Sequence, residues 1–312
     1  MTLDIFLTSI YSSLANGLLY APVVIGVFMS LRIMKKPDLT VEGTFAFGAV
    51  IAMTMLHNGA HFIAAILVAM VGGSIAGLAT ALIHTKLQVD SIISGLLVTM
   101  GLFSVNLFIM GGSTISAPLD TFVFAPVREL LLTFNMRPFN ALLWSYIIVG
   151  AIVLTVVIVV LFVLYRTSFG LTLRATGDNE RMACSIGVDA DSRKITSLAI
   201  SNSLTGLSGA LVVQQGAADI NIGTGVLIIG LASLVIGEII TPKSASILTR
   251  LLFIALGSFI YFTCINLVVF SRLLSADWTR LLTALLALTA LCMPKLRTLK
   301  LMKWSRRPND IT

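Results

Sequence analysis

Charge is what this chain has least of: 11% of its 312 residues are Asp, Glu, Lys or Arg, whereas 57% are hydrophobic. A soluble domain carries about 25% charged residues, so a water-soluble globule is excluded, in line with a mean hydropathy of +1.00. Cysteine is nearly missing. Cys184, Cys264 and Cys292 show no paired spacing, which excludes a disulfide framework and a cysteine-built metal site. No Lys follows a Gly anywhere, so the phosphate cradle G-x-x-x-x-G-K-[ST] is absent and this chain does not itself hydrolyse ATP. Of the three histidines, His57 and His61 flank Gly59 with no acidic or cysteine neighbour, which reads as a surface turn and not a metal pair. The G-x-S strings at Gly72-Gly73-Ser74, Gly111-Gly112-Ser113 and Gly206-Leu207-Ser208 have no histidine in a later span to act as base, so serine hydrolysis is excluded and small-residue packing is expected. No Lys or Arg precedes Arg32. The basic n-region of a cleavable signal is thus missing, and the first apolar run is expected to remain as a span.

Long uncharged runs are what the sequence has instead, at 5–31, 43–85, 91–119, 138–165, 195–218, 220–237, 251–271 and 281–294. About 20 apolar residues cross a bilayer as a helix. With the second run divided at 57–61, nine spans are predicted, near 9–33, 40–56, 61–84, 91–110, 140–165, 194–214, 224–241, 247–270 and 278–294. The fold class is therefore an all-α polytopic transmembrane bundle of about 8–10 spans, short or broken helices included. Starting outside, of the 21 Lys and Arg only Arg128, Arg137, Arg272 and Arg280 fall on the external side. That positive-inside bias predicts an outer N-terminus and a cytoplasmic C-terminus. The net charge of +7 reports topology, because the basic residues sit in short loops and form no face for nucleic acid. One transmembrane domain is expected over 1–312, with an external loop at 111–139, a cytoplasmic loop at 166–193 and a basic cytoplasmic tail at 295–312.

Function is expected where polarity interrupts these runs. In the cytoplasmic loop, Asp178 is suited to cap a short helix, Glu180 complements its first turn, and Gly187 supplies the left-handed residue after its end. A helix over 178–186 would set Met182, Ala183 and Ile186 on one face, an apolar ridge for another protein or for the chain's own bundle. Within the spans, Asn16, Asn106, Asn202, Ser203, Thr205 and Asn266 must face helices or a cavity, since burial without partners costs a few kcal/mol, about 2 or more. Asp38 and Glu42 open the second span, either as solvated interfacial residues or facing a cavity.

Three stretches resemble one family. Gly170 to Gly187 follows G-x-x-L-R-A-x-G-x-N-x-x-x-A-x-x-x-G, similar to the coupling loop of ABC importer permeases of the branched-chain amino acid and ribose class. Pro37-Asp38-Leu39-Thr40-Val41-Glu42-Gly43 is similar to the D-L-S-V-G signature of that class, with Thr40 for Ser and Glu42 inserted. Asn221-Ile222-Gly223-Thr224-Gly225 and the run to Gly237-Glu238 resemble its G-x-G…A-x-x-x-G-G stretch, with Glu238 for the second Gly. The likeness extends over about residues 10–296 and is nearest to permeases of tryptophan and tyrosine uptake systems.

The resemblance implies a permease in a bacterial cytoplasmic membrane, paired with a second copy as a homodimer, an ABC ATPase dimer below and an extracytoplasmic binding protein above. ATP would be used by the partner and no cofactor bound by this chain. Gly177, Asn179, Ala183 and Gly187, with Arg174, Asp178, Glu180, Arg181, Met182 and Ile186 around them, would form the coupling element. Asp38, Thr40, Glu42, Gly43, Asn106, Asn202 and Ser203 are the candidates for the path of a small polar solute, expected to be an amino acid, with an aromatic one suggested by the uptake systems named above. The competing expectation is an ion-gradient transporter using Glu42, Asp90 and Glu238.

Overall fold

A computed structural model of the chain describes residues 3–242 and 244–270, together with 281, 283–285 and 287–289. Eleven α-helices occur among them: α1 (Leu3–Phe28), α2 (Thr40–His57), α3 (Phe62–Lys86), α4 (Ser91–Met110), α5 (Ala125–Thr133), α6 (Pro138–Arg166), α7 (Ser168–Asp178), α8 (Glu180–Ser185), α9 (Ala190–Val212), α10 (Val226–Ile240) and α11 (Ile247–Phe270). Seven are long and apolar enough to cross a membrane, and α10 is a shorter apolar helix. These correspond to the first eight expected spans. The ninth, at 278–294, lies outside the described residues apart from isolated helical positions, and so does the basic tail.

The least apolar spans are among the most buried. The two least apolar spans, α2 and α9, have 67% and 78% of their windows buried, while the most apolar, α6, has 39%. In lipid the outward face is the apolar one, and helices are held together by close packing and interhelical hydrogen bonds. Ile152, Val156, Val159, Val160 and Val163 of α6 are accordingly exposed. At the centre, Ser201 Oγ donates to the Gly26 carbonyl and Ser208 Oγ to the Leu19 carbonyl, each at 2.7 Å, tying α9 to α1. Asn266 donates to Ser13 at 2.9 Å and Gln215 to Asn16 at 3.0 Å, so these two asparagines link helices. The Thr205 hydroxyl donates within α9, to the Ser201 carbonyl.

Glycine makes the close contacts possible. A Cβ on Gly73 or Gly77 of α3 would overlap the Asn202 or Leu198 carbonyl oxygen of α9, and one on Gly48 of α2 would meet Gly206. Three backbones therefore touch at one crossing.

Two departures from regular helix position the rest. The last turn of α1 widens into a π-turn at Met29–Ile33, closed by Met34 N–H donating to the Met29 carbonyl at 3.1 Å. At the other end of the bundle, β1 (Thr114–Ile115) and β2 (Ala218–Asp219) pair antiparallel. That pairing, and Gln214 Oε1 accepting from Val123 N at 2.7 Å, joins the 111–137 connection to the segment between α9 and α10. The connection also contains α5, which turn-forming residues hid in the sequence.

Candidate functional site

The segment between α6 and α9 is two helices, where one was expected. Thr167 caps α7, accepting from Gly170 N at 3.4 Å, and Leu173 and Thr176 are buried beneath it. Gly177 rests on the π-turn so closely that a Cβ would overlap the Ile33 carbonyl oxygen. Arg174 Nη2 reaches the Tyr165 carbonyl at 3.4 Å. At Asn179 the backbone becomes extended (φ −152°, ψ 99°), ending α7 and starting α8.

Asn179, not Asp178, is the N-cap: its side chain accepts from Met182 N at 3.1 Å. Asp178 still belongs to α7 and instead pairs with Lys35 at 2.9 Å, an exposed contact worth under about 1 kcal/mol. The expected role of Gly187 is met by its φ of +85°, with its N–H donating to the Cys184 carbonyl and Val188 N–H to the Ala183 carbonyl. The expected ridge divides. Ala183 is 1% exposed and faces the bundle, whereas Met182 (63%) and Ile186 (67%) face outward at i, i+4 spacing. Arg181 is exposed beside them. Sequence periodicity could not tell which part of a 100° arc the bundle covers.

Glu180 is held by α9, where Lys194 Nζ donates to its carboxylate. That hydrogen bond, with the Lys194 charge, holds the Glu180 carboxyl below its usual value of 4.5. A carboxyl depressed on folding stabilises the folded state above its unfolded pKa of about 4.3, and the contribution is lost as pH falls through the folded value. Amide exchange in α8 is therefore expected to accelerate as the pH falls below the ordinary glutamate range beyond its intrinsic pH dependence. Glu180→Gln should remove that step; an identical profile in the variant would contradict the pairing.

The path candidates separate into two groups. Asp38, Thr40 and Asn202 form a buried cluster joining α2, α3 and α9. Asp38 Oδ1 accepts from Thr40 N at 2.8 Å and Oδ2 from Asn202 Nδ2 at 2.7 Å. Asn202 Nδ2 also donates to the Leu198 carbonyl at 3.0 Å. Thr80 Oγ1 shares a 2.7 Å hydrogen bond with Thr40 Oγ1 and lies 3.2 Å from the Ala76 carbonyl oxygen. Burial pushes the Asp38 carboxyl up, and the hydrogen bonds from Thr40 and Asn202 oppose it. Thr80 carried no signal in the sequence, being one hydroxyl in an apolar helix.

Glu42, Gly43 and Asn106 instead line a cleft of about 90 Å³, shared with Ala46, Thr99, Phe103 and residues 220, 221, 223 and 224. Glu42 Oε1 accepts from Gly225 N at 3.1 Å, at the start of α10. Gly223 fits against the Glu42 carbonyl, where a Cβ would not, and Gly225 takes φ +84°. These glycines let the chain turn into α10 against α2. Ser203 is half-buried on α9 and belongs to neither group.

The remaining membrane carboxylates have structural partners. Asp90 caps α4, accepting from Ile92 N at 2.9 Å, and Glu238 pairs with Arg32. Among the described residues no cluster of His, Cys, Asp or Glu has the composition of a metal site.

Comparison with known proteins agrees with this architecture. Residues 9–291 match the family described as the permease component of branched-chain amino acid transport systems. A tyrosine transport system permease protein of Clostridioides difficile is 34% identical over 286 residues, 91% of each chain. The autoinducer 2 import system permease protein LsrC of Yersinia pseudotuberculosis is 26% identical over 67% of this chain and 56% of its own length. Among solved structures, PsaBC of Streptococcus pneumoniae in complex with Fab matches 96% of both chains with a TM-score of 0.51 and 14% identity, a likeness of fold alone. The chain therefore belongs to the permease-component family of branched-chain amino acid transport systems, as a multi-pass subunit of the inner membrane.

Proposed function

We propose that this permease conducts an aromatic amino acid of the tyrosine type inward, driven by a separate ATPase that grips α8. The observation that carries the coupling is the mounting of α8. It is capped at both ends, held to α9 through Glu180 and braced through α7 on the π-turn of α1, yet presents Met182 and Ile186 to the outside. A load applied to that ridge reaches α1, α6 and α9 through short rigid connections. The substrate class follows from the tyrosine permease, to which this chain is 34% identical along nearly its full length.

On this reading the motor and the binding protein are separate chains, a second copy completes the path, and α8 lies on the cytoplasmic side, a placement that the distribution of basic residues supports. ATP is consumed by the partner; this chain supplies the moving walls and binds no cofactor. Of the three carboxylates that the ion-gradient alternative would use, Asp90 caps α4 and Glu238 is held in an ion pair, which leaves that alternative only Glu42.

Burying two aliphatic side chains is worth about 1.5–3 kcal/mol each, and every 1.4 kcal/mol is about tenfold in affinity. The double variant Met182→Glu/Ile186→Glu should therefore lower ATPase co-purification and tyrosine uptake by more than about tenfold. Both side chains are exposed, so thermal stability in detergent should stay unchanged. Normal co-purification with normal uptake would refute the docking role of α8.

A further inference from the structure

We infer that the cleft between α2, α4 and the start of α10 is a subsite for the ammonium group of the transported solute; this rests on the amino-acid permease reading above. Its formal charge is of one sign. Glu42 brings a carboxylate, of which Oε1 accepts from Gly225 N and Oε2 has no partner among the described residues. Asn106 also lines the cleft; it is 2% exposed, and its buried Oδ1 has no hydrogen-bond partner. A buried acceptor left unmet costs about 1–3 kcal/mol, so Asn106 is an expensive residue to keep there unless a donor arrives. The Thr99 hydroxyl is already spent on the Leu39 carbonyl at 3.1 Å, and no Lys, Arg or His lines the cleft. Two unmet acceptors, one of them charged, without a resident cation form the complement of a group with several N–H donors and a positive charge.

The lining favours an organic ammonium over a bare inorganic cation. Phe103 and Ala46 give the cleft carbon walls beside Glu42, and among the described residues no group of three or more His, Cys, Asp or Glu gathers to hold a metal ion. In a path that must also release its cargo, a site with two acceptors orients the solute without holding it tightly.

The test uses the purified full-length chain in nanodiscs, with no binding protein present, and ligand-observed saturation-transfer NMR. Tyramine carries the ammonium without a carboxylate, and 3-(4-hydroxyphenyl)propionate the carboxylate without an ammonium. Tyramine and L-tyrosine should give saturation signals that the propionate does not, unaffected by exchanging sodium for potassium. Glu42→Gln keeps an acceptor for Gly225 while removing the charge, and Asn106→Leu removes the other acceptor; each should reduce the tyramine signal at least fivefold. Thermal midpoints are measured alongside, so that a loss is scored only in a folded variant; should one variant not fold, the other decides. No wild-type tyramine signal, an equal signal from the propionate, displacement by sodium or potassium, or a folded variant that retains the signal overturns the assignment. Cellular tyrosine uptake separates the two failures: uptake without tyramine binding sinks only the cleft, whereas absent uptake sinks the transport reading.

Discussion

Replacing Gly206 by leucine is expected to yield no folded permease, while the same change at Gly101 is tolerated. Gly206 lies where α9 crosses α3 and α2: a Cβ there would stand 2.6 Å from the Ala69 carbonyl oxygen and 3.3 Å from the Gly73 Cα. Both obstacles are backbone, so no rotamer change relieves the overlap. Separating α9 from α2 and α3 would also pull Asn202 from Asp38, which precedes α2. Overpacking in a tight core costs about 1–3 kcal/mol, and each lost buried hydrogen bond leaves a group whose desolvation costs about 1–3 more. Together these approach the whole stability of a typical domain, about 5–15 kcal/mol. Around Gly101 of α4 a Cβ meets nothing within 4 Å. Gly101→Ala should even stabilise by up to about 1 kcal/mol through helix propensity. Size-exclusion profiles and thermal unfolding in detergent compare the pair. Equal behaviour at the two positions would show that the crossing is not close-packed.

The second large effect concerns the buried carboxylate. Asp38→Leu leaves the Thr40 N–H and one arm of the Asn202 amide without an acceptor, and Asn202→Leu leaves the carboxylate with one donor fewer. Breaking a buried polar pair from one side costs about 3–5 kcal/mol when a charge is left behind. Rotating the Asn202 amide gives no escape, because its Nδ2 also donates to the Leu198 carbonyl, which would then face an oxygen. Removing both partners abolishes most of the mismatch, since an apolar pair has nothing to satisfy. The Asp38→Leu/Asn202→Leu double variant should therefore be more stable than the sum of the singles predicts by more than about 1 kcal/mol. Additive losses in unfolding experiments would mean that the two side chains do not share one hydrogen bond.

How much of this was legible beforehand depends on the range of the interaction. The start of α2 at Thr40 and the left-handed Gly187 were readable, because helix punctuation acts over a few neighbouring residues. The N-cap of α8 was misplaced by one residue because Asp178 and Asn179 are both good caps, and only the contact of Gly177 with Ile33 shows where α7 must stop. Asp38, Glu42, Asn106 and Asn202 stood out as polar groups in apolar surroundings. Nothing local showed that they would divide between a sealed cluster and an open cleft.

The sequence alone determined the spans and the family, because hydropathy over about 20 residues and ordered motifs are properties of the chain itself. Tertiary structure decided that α9, one of the least apolar spans, is the most buried, and that Glu42 meets the start of α10, 183 positions along the chain. Lipid rewards an apolar outer surface, whereas neighbouring helices reward small residues and satisfied hydrogen bonds; which face meets which neighbour exists only once the helices are assembled.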